Sequence, residues 1–361
     1  MSVKNILLIA ILLPALYAYP DNTGDDPPRD HVIAVPDHGK NTATNNQEEP
    51  FRGWKKTETE HFVIIYEPKD REYAEDLLGF CEPVYDTIAG YFSSHPDKIP
   101  CVLRGRTDSA NGFYSSLPSK IELYITAPTI PWMGAKHGDW LKILFIHELV
   151  HFIHFHYNHG FFYTLSQIFG ESIRPSLMGF MPGWMTEGIA VYLETALTEG
   201  GRGRNPFFEI YYKAPIIEDR FFSLQKASYN SDYPPRGRIY VAGYLLIEYI
   251  MRSFGESVFS EIHDRYARFP FFGPRYAIEA VTGETVQHIF NHMKEELEEQ
   301  YRDDAAVEAG ERITPSVTGD YHFPIPTKRG LYLYRRTLDT PHLLSAMTRK
   351  QKKRKLSSRQ H

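Results

Sequence analysis

Three residues with the spacing of metal chemistry sit together in the chain: His147, Glu148 and His151, in the pattern H-E-x-x-H. On a helix each residue turns by about 100°, so the two histidines fall on one face, one turn apart. That spacing lets two imidazoles hold one zinc ion, with the glutamate beside it as a general base. The flanks are almost wholly apolar, from Trp140, Leu141, Ile143, Leu144, Phe145 and Ile146 to Leu149, Val150, Phe152, Ile153 and Phe155. A helix apolar nearly all round is a buried helix. His147, Glu148, His151 and His154 fall in one stripe of it, with Lys142 and His156 opposite. Buried polar groups need partners. A metal supplies one; a core hydrogen-bond network is the plainer alternative.

A catalytic zinc takes three protein ligands and keeps one position open. One known solution places a histidine six residues past the second, with a glycine between. Here those places hold Tyr157 and His154, so that pattern fails, and His154 is expected to line the cleft. The other solution is a glutamate from a later helix, and Trp184-Met185-Thr186-Glu187-Gly188-Ile189-Ala190-Val191-Tyr192-Leu193-Glu194 supplies one. Glu187 is the expected ligand, with Gly188 letting its helix come close to the metal helix. Glu194 lies two turns on, about 10 Å along the axis, too far to share an ion held at about 2.1 Å. It is expected to accept a hydrogen bond from the outer side of a metal-bound imidazole; a solvated helix residue is the alternative.

The elements that must position these residues are legible from periodicity. The run 61–66 reads as a strand by its β-branched and aromatic content. Residues 70–92 read as an amphipathic helix, with Tyr73, Leu77, Cys81, Val84, Tyr85, Ile88 and Phe92 at helical spacing. Residues 98–104 and 121–126 read as two further strands, with Asn111-Gly112 marking the turn before the last. Beyond Gly160 the pattern is helical. Pro182-Gly183-Trp184 starts a helix to about Leu197, ended by Gly200-Gly201-Arg202-Gly203. Residues 206–236 read as loop. An apolar helix follows at 237–254, and a Glu-sided one at 286–301. The fold class is α+β: a small mixed α/β layer at 51–135, then a mainly helical lobe at 136–303 that carries the metal residues.

The chain has 361 residues, 42 % of them hydrophobic and 24 % charged, which suits a globular protein with a sizeable core. The net charge of -5 gives no argument for nucleic acid. Residues 1–18 read as a secretory signal: Lys4, then an apolar run from Ile6 to Ala18 too short to span a bilayer. The body is therefore expected outside the cytoplasm, periplasmic or secreted, with membrane contact only if that segment stays uncleaved. Residues 19–50, rich in Pro, Asp, Asn and Gly, read as a disordered linker. Disorder is also expected from about 337 to the basic run at 349–355. Cys81 and Cys101 are open to a disulfide or to two buried thiols.

The pairing of H-E-x-x-H at 147–151 with W-x-x-E-G-x-A-x-Y at 184–192 resembles the gluzincin zinc metallopeptidases. The strand–helix–strand–strand layer before it is similar to the peptidase-MA-like domains of exported bacterial proteins. The resemblance spans about residues 51–300 and implies a zincin-like (gluzincin) domain at 51–303, with a cleft between the layer and the helical lobe and the last strand at its edge. It further implies an oxyanion-stabilising tyrosine in a Tyr-x-x-Gly sequence, which Tyr240-Val241-Ala242-Gly243 matches, with Tyr244 as the lesser candidate. Plain core packing is the alternative for Tyr240. Residues 311–336, within the tail at 304–361, resemble the start of the β-propeller that some relatives carry. The implied function is hydrolysis of peptide or protein bonds with one Zn2+, using Glu148 and Tyr240 catalytically and His147, His151 and Glu187 as ligands. The rival is a non-catalytic metal-binding or assembly module on the same fold. An intact Glu148 argues against it, since a structural zinc needs no base; the brevity of the propeller-like piece favours it.

Overall fold

The computed structural model describes residues 53–128, 133, 140–229, 237–307, 319–328, 330–337 and 343–348. The signal at 1–18, the linker at 19–50 and the basic run at 349–355 lie outside the described residues. The chain divides after Ala305 into two units.

The first unit joins a mixed sheet to a mostly helical lobe. Strand β1 (Lys55–Glu58) pairs antiparallel with β2 (Phe62–Tyr66). Helix α1 (Arg71–Phe92) then carries the chain over to β3 (Ile99–Arg104), parallel to β2. Strands β4 (Gly112–Ser116) and β5 (Ser119–Tyr124) form a hairpin, and β5 runs parallel to β3. The order β1-β2-β3-β5-β4 leaves β4 at an edge. Helix α1 buries Ala74, Leu77, Cys81, Val84, Tyr85, Ile88 and Phe92, at the period the sequence advertises. Tyr73 does not join them: it is exposed in the first turn, and Ala74 takes the inward place. Cys81 and Cys101 are buried as free thiols.

Helix α2 (Trp140–Phe155) is buried along its length apart from Lys142. Phe145 packs its ring on Phe62 of β2 and Phe80 of α1, at 5.4 and 5.7 Å between centroids. The Trp140 indole donates to the Tyr124 carbonyl at 3.1 Å, tying the start of α2 to the end of β5. Arg174 donates to the carbonyls of His156 and Tyr157, so a cation sits where the helix dipole ends negative.

The lobe continues through α3 (Phe161–Phe169), a 3-10 segment at Glu171–Phe180, and α4 (Gly183–Leu197). Helices α5 (Pro206–Ile217) and α6 (Leu224–Ala227) follow, then α7 (Arg238–Phe254), α8 (Val258–Arg268), α9 (Gly273–Thr282), α10 (Val286–Gln300) and the short α11 (Arg302–Ala305). The loop expected at 206–236 is helical at α5 and α6, and residues 230–236 lie outside the described set. Asn205 caps α5 by accepting from the Phe207 N–H at 2.9 Å, and Phe208, Tyr212 and Ile216 are its buried stripe. Among the described residues no helix is long and apolar enough to cross a membrane.

The second unit holds an antiparallel sheet of β6 (Gly319–Thr327), β7 (Gly330–Thr337) and β8 (Leu343–Thr348). The disorder expected beyond 337 is not found at Leu343–Thr348, which pairs with β7 from Gly330 to Arg335.

Candidate metal centre

Helices α2 and α4 bring three donor atoms to one point. His147 Nε2 stands 3.2 Å from His151 Nε2 and 3.2 Å from Glu187 Oε2. His151 Nε2 is 3.4 Å from the same oxygen. Ligand atoms at about 2.0–2.1 Å around a tetrahedral ion stand about 3.4 Å apart, so these three separations trace one face of such a site. Two imidazoles and a carboxylate are a donor set suited to zinc. All three residues are buried. His151 Nδ1 is also buried and has no hydrogen-bond partner among the described residues. The donor set, its spacing and its burial fit a zinc ion.

The charges on these groups follow from burial and from one another. Burial pushes Glu187 up, but His151 and His147 outweigh it and hold the carboxyl well below the usual range. Burial and the Arg202 charge push His147 down; Glu187 and Glu194 outweigh both and hold it up at about 9. Glu148 is pushed up by burial, against the pull of His147 and His151. Its Oε2 accepts the Tyr114 backbone N–H of edge strand β4 at 2.8 Å. The Tyr114 ring rests on Phe152 and Phe155 of α2, so β4 is held along the metal helix.

Glu194 is fully buried, and its Oε2 lies 2.9 Å from His147 Nδ1. Arg202 closes on the same carboxylate: its Nε donates to Oε1 at 2.7 Å, its backbone N–H to Oε1 at 3.1 Å, and a terminal nitrogen to Oε2 at 2.8 Å. That terminal nitrogen also lies 2.6 Å from His147 Nδ1. Nδ1 cannot serve both partners. With Nε2 turned to Glu187 and His151, the proton belongs on Nδ1 and goes to the carboxylate. The guanidinium is then a repulsive neighbour of that nitrogen, in keeping with the way its charge lowers His147.

The Arg202 guanidinium also lies over the Tyr240 ring, 5.1 Å from its centroid. Tyr240, on α7, has its ring centroid 6.4 Å from that of His147. Tyr244 instead packs against Phe208, with Gly203 beside its ring. His147, His151 and Glu187 thus share one point, with Glu148 buried beside them, Glu194 at the outer nitrogen of His147 and the Tyr240 ring beside that imidazole.

Two expectations are corrected. His154 does not line a cleft. It is fully buried, stacked on Phe92 of α1 and beside His263 of α8 at 4.2 Å between ring centroids. Seven residues carry a helix about 10 Å along its axis, which takes His154 beneath those two helices. Gly188 does not serve the approach to α2. A Cβ there would stand 2.5 Å from the backbone of Gly243, so its smallness serves the crossing of α4 with α7.

Arg202 and the Tyr114 N–H are the site groups that the sequence reading missed. Tyr114 contributes only its backbone, which no side-chain pattern reveals. Arg202 sits in the glycine run that reads as a helix stop. There a Cβ on Gly201 would stand 2.3 Å from Thr195 Cα, so that glycine lets the loop fold back on α4 and deliver the arginine. A glutamate on a buried helix face calls for a cation, and that was the available signal.

No protein-family model matches the chain, and no curated protein matches it. Similar solved structures include a mutant of a two-domain M1 zinc metallopeptidase bound to L-arginine, at 12 % identity over 66 % of this chain and 49 % of that one, TM-score 0.40. Another is a mutant M1 zinc metallopeptidase from Deinococcus radiodurans bound to a Tyr-Ser-Ala substrate, at 12 % identity over 66 % of this chain and 51 % of that one, TM-score 0.38. A third is native yeast LTA4 hydrolase, at 14 % identity over 73 % of this chain and 40 % of that one, TM-score 0.38. The chain spans about half the length of these structures or less.

Proposed function

We propose that the chain is an exported zinc-dependent peptidase that hydrolyses bonds in peptides or proteins. The observation that carries the reading is the convergence of His147 Nε2, His151 Nε2 and Glu187 Oε2 beside a buried Glu148 that takes no part in it. His147, His151 and Glu187 hold the ion. Zinc supplies Lewis acidity, polarising a carbonyl and bringing the acidity of water to the neutral range. Glu148 takes the proton of the attacking water and passes it to the leaving amine, and the Tyr114 N–H fixes the carboxylate that does so. Glu194, anchored by Arg202, keeps the proton of His147 on Nδ1 and leaves Nε2 free as a ligand. Tyr240 donates a hydrogen bond to the oxyanion that forms at the attacked carbon. Edge strand β4 favours a peptide substrate, since it pairs with β5 on one side only and runs beside Glu148. The apolar run at 6–18 supports export, to the periplasm or beyond the cell.

The test joins metal analysis to cleavage of a broad peptide library, with and without chelator. Wild type should bind zinc at this centre and cleave. Glu148→Gln should keep the metal and lose cleavage by orders of magnitude, because the base is not a ligand. Cleavage that survives the substitution, or a protein without affinity for zinc, overturns the proposal.

A further inference from the structure

A second pair of histidines repeats the geometry of the first on the outer face of α10. His288 and His292 are one turn apart, and their Nε2 atoms stand 3.0 Å from each other. Their rings meet edge to face, with centroids 4.3 Å apart and planes at 83°. The buried pair has 3.2 Å, 4.7 Å and 90° for the same three quantities. The likeness extends in part to the carboxylates. Glu284 Oε2 is 3.5 Å from His288 Nε2, the nitrogen that faces His292. Glu295 Oε2 is 3.5 Å from His292 Nδ1, on the far side of that ring. Glu284 stands at His288 and not between the two rings as Glu187 does, while Glu295 stands at the outer nitrogen of His292 as Glu194 does at that of His147.

We infer that His288 and His292 form a second, solvent-facing site for a borderline divalent cation of the zinc class, with Glu284 and Glu295 as flanking carboxylates. Two imidazoles at this spacing on a helix present their lone pairs to one point. A carboxylate at Nδ1 favours a proton there and leaves Nε2 as a donor to metal. Imidazole nitrogen selects zinc, copper and nickel over magnesium and calcium. The nearest charges favour a cation, since Glu284 and Glu295 flank the rings, while Glu296, Glu298 and Glu299 are paired with Arg252, Lys294 and Arg302. The four side chains are 41–70 % exposed, so water completes the coordination and the site is weaker than the buried one. His288 and His292 lie in the first two turns of α10, so an ion here would clasp those turns together. This inference does not depend on the peptidase reading.

The test is equilibrium dialysis of the full chain against zinc, with metal analysis and imidazole NMR signals as readouts. Wild type should take up two equivalents, with the His288 and His292 signals moving in the second step. The double variant His288→Ala, His292→Ala should take up one, its affinity for the second equivalent falling by at least about tenfold. Both positions are exposed, so the variant keeps its fold. If the buried centre takes no zinc, wild type should bind one equivalent and the double variant none, which separates the two readings. A double variant that binds as much zinc as wild type, or His288 and His292 signals that zinc does not move, overturns the inference and leaves the pair as hydrogen-bonded imidazoles.

Discussion

The roles of the two carboxylates on α4 can be separated by substitution. Glu187 contributes one donor of three, at 3.2 Å and 3.4 Å from the two histidine nitrogens. Glu187→Ala leaves two imidazoles and no anion, and should abolish tight zinc binding outright. Glu194 touches only the outer nitrogen of His147, at 2.9 Å. Its removal should weaken zinc by about 10–100-fold, or about 1.4–2.8 kcal/mol. Glu194→Ala carries a second effect, because Arg202 is then a buried cation without its carboxylate. Breaking a buried pair in this way costs about 3–5 kcal/mol of stability. A double variant, Glu194→Met with Arg202→Met, removes both charges at once and should recover most of that stability, since an apolar replacement of a buried pair is often neutral or better. Zinc should still bind about 10–100-fold more weakly, because His147 has no acceptor for its Nδ1 proton. The assays are competition with a chromophoric chelator for affinity and urea unfolding of the metal-free protein for stability. If Glu194→Ala abolishes zinc binding while Glu187→Ala only weakens it, the ligand assignment is wrong. If the double variant binds zinc as tightly as wild type, the hydrogen bond from His147 to Glu194 has no effect on the metal.

Two further outcomes follow from the geometry. Tyr240→Phe should lower kcat by about 10²–10³ with little change in KM or zinc affinity, as the loss of one oxyanion donor does; an unchanged kcat removes Tyr240 from the chemistry. His263 is fully buried, and burial together with His159 holds its imidazole down to about 3 from an ordinary 6.5. It stays neutral in the fold while the unfolded chain takes up a proton below 6.5, so its contribution is complete above that pH and is lost as pH falls towards 3. The loss is about 2 kcal/mol at pH 5, and His263→Leu should make the stability difference between pH 7.5 and pH 5 smaller in urea unfolding; an equal difference in both proteins contradicts the assignment.

Residues carried on long periodic helices were the ones that the sequence disclosed. His147, Glu148 and His151 share one helix whose apolar flanks declare its burial, and Glu187 and Glu194 share another. Spacing within one helix is local, and local geometry survives folding. What escaped depends on distant parts of the chain meeting. Strand β4 is Gly-Phe-Tyr-Ser-Ser, in which only Phe113 and Tyr114 favour a strand, too short a run to announce one. It becomes one by pairing with β5 and packing on α2, and so Asn111-Gly112 reads as a turn when Gly112 is already in the strand. Helix α5 was hidden differently. Pro206 occupies the first helical position, where a missing N–H costs little, and Pro215 lies within the helix near its end, so two residues that usually break helices are both inside this one. His154 is the converse case, a residue on the right stripe of the right helix whose neighbours, Phe92 and His263, come from two other elements.

The correction at Gly188 changes what the W-x-x-E-G and Y-x-x-G sequences mean together. A Cβ on Gly188 would stand 2.5 Å from the Gly243 carbonyl, and a Cβ on Gly243 would stand 2.2 Å from the Trp184 carbonyl and 2.9 Å from Gly188 Cα. The two glycines therefore meet backbone to backbone at the crossing of α4 and α7, with no side chain between them to adjust. Glu187 is the residue before one glycine, and Tyr240 stands one turn before the other. A crossing this close fixes the distance between the two helices and so between the residues beside it. Glu187 and Tyr240, the proposed ligand and the proposed oxyanion donor, are then set relative to each other by main-chain contact. The arginine that bridges Glu194 and the Tyr240 ring ties the same two helices a second time, two turns along α4. The two motifs thus act as one device, in which a glycine contact and a buried ion pair hold α7 in register with the helix that carries Glu187, the proposed third metal ligand.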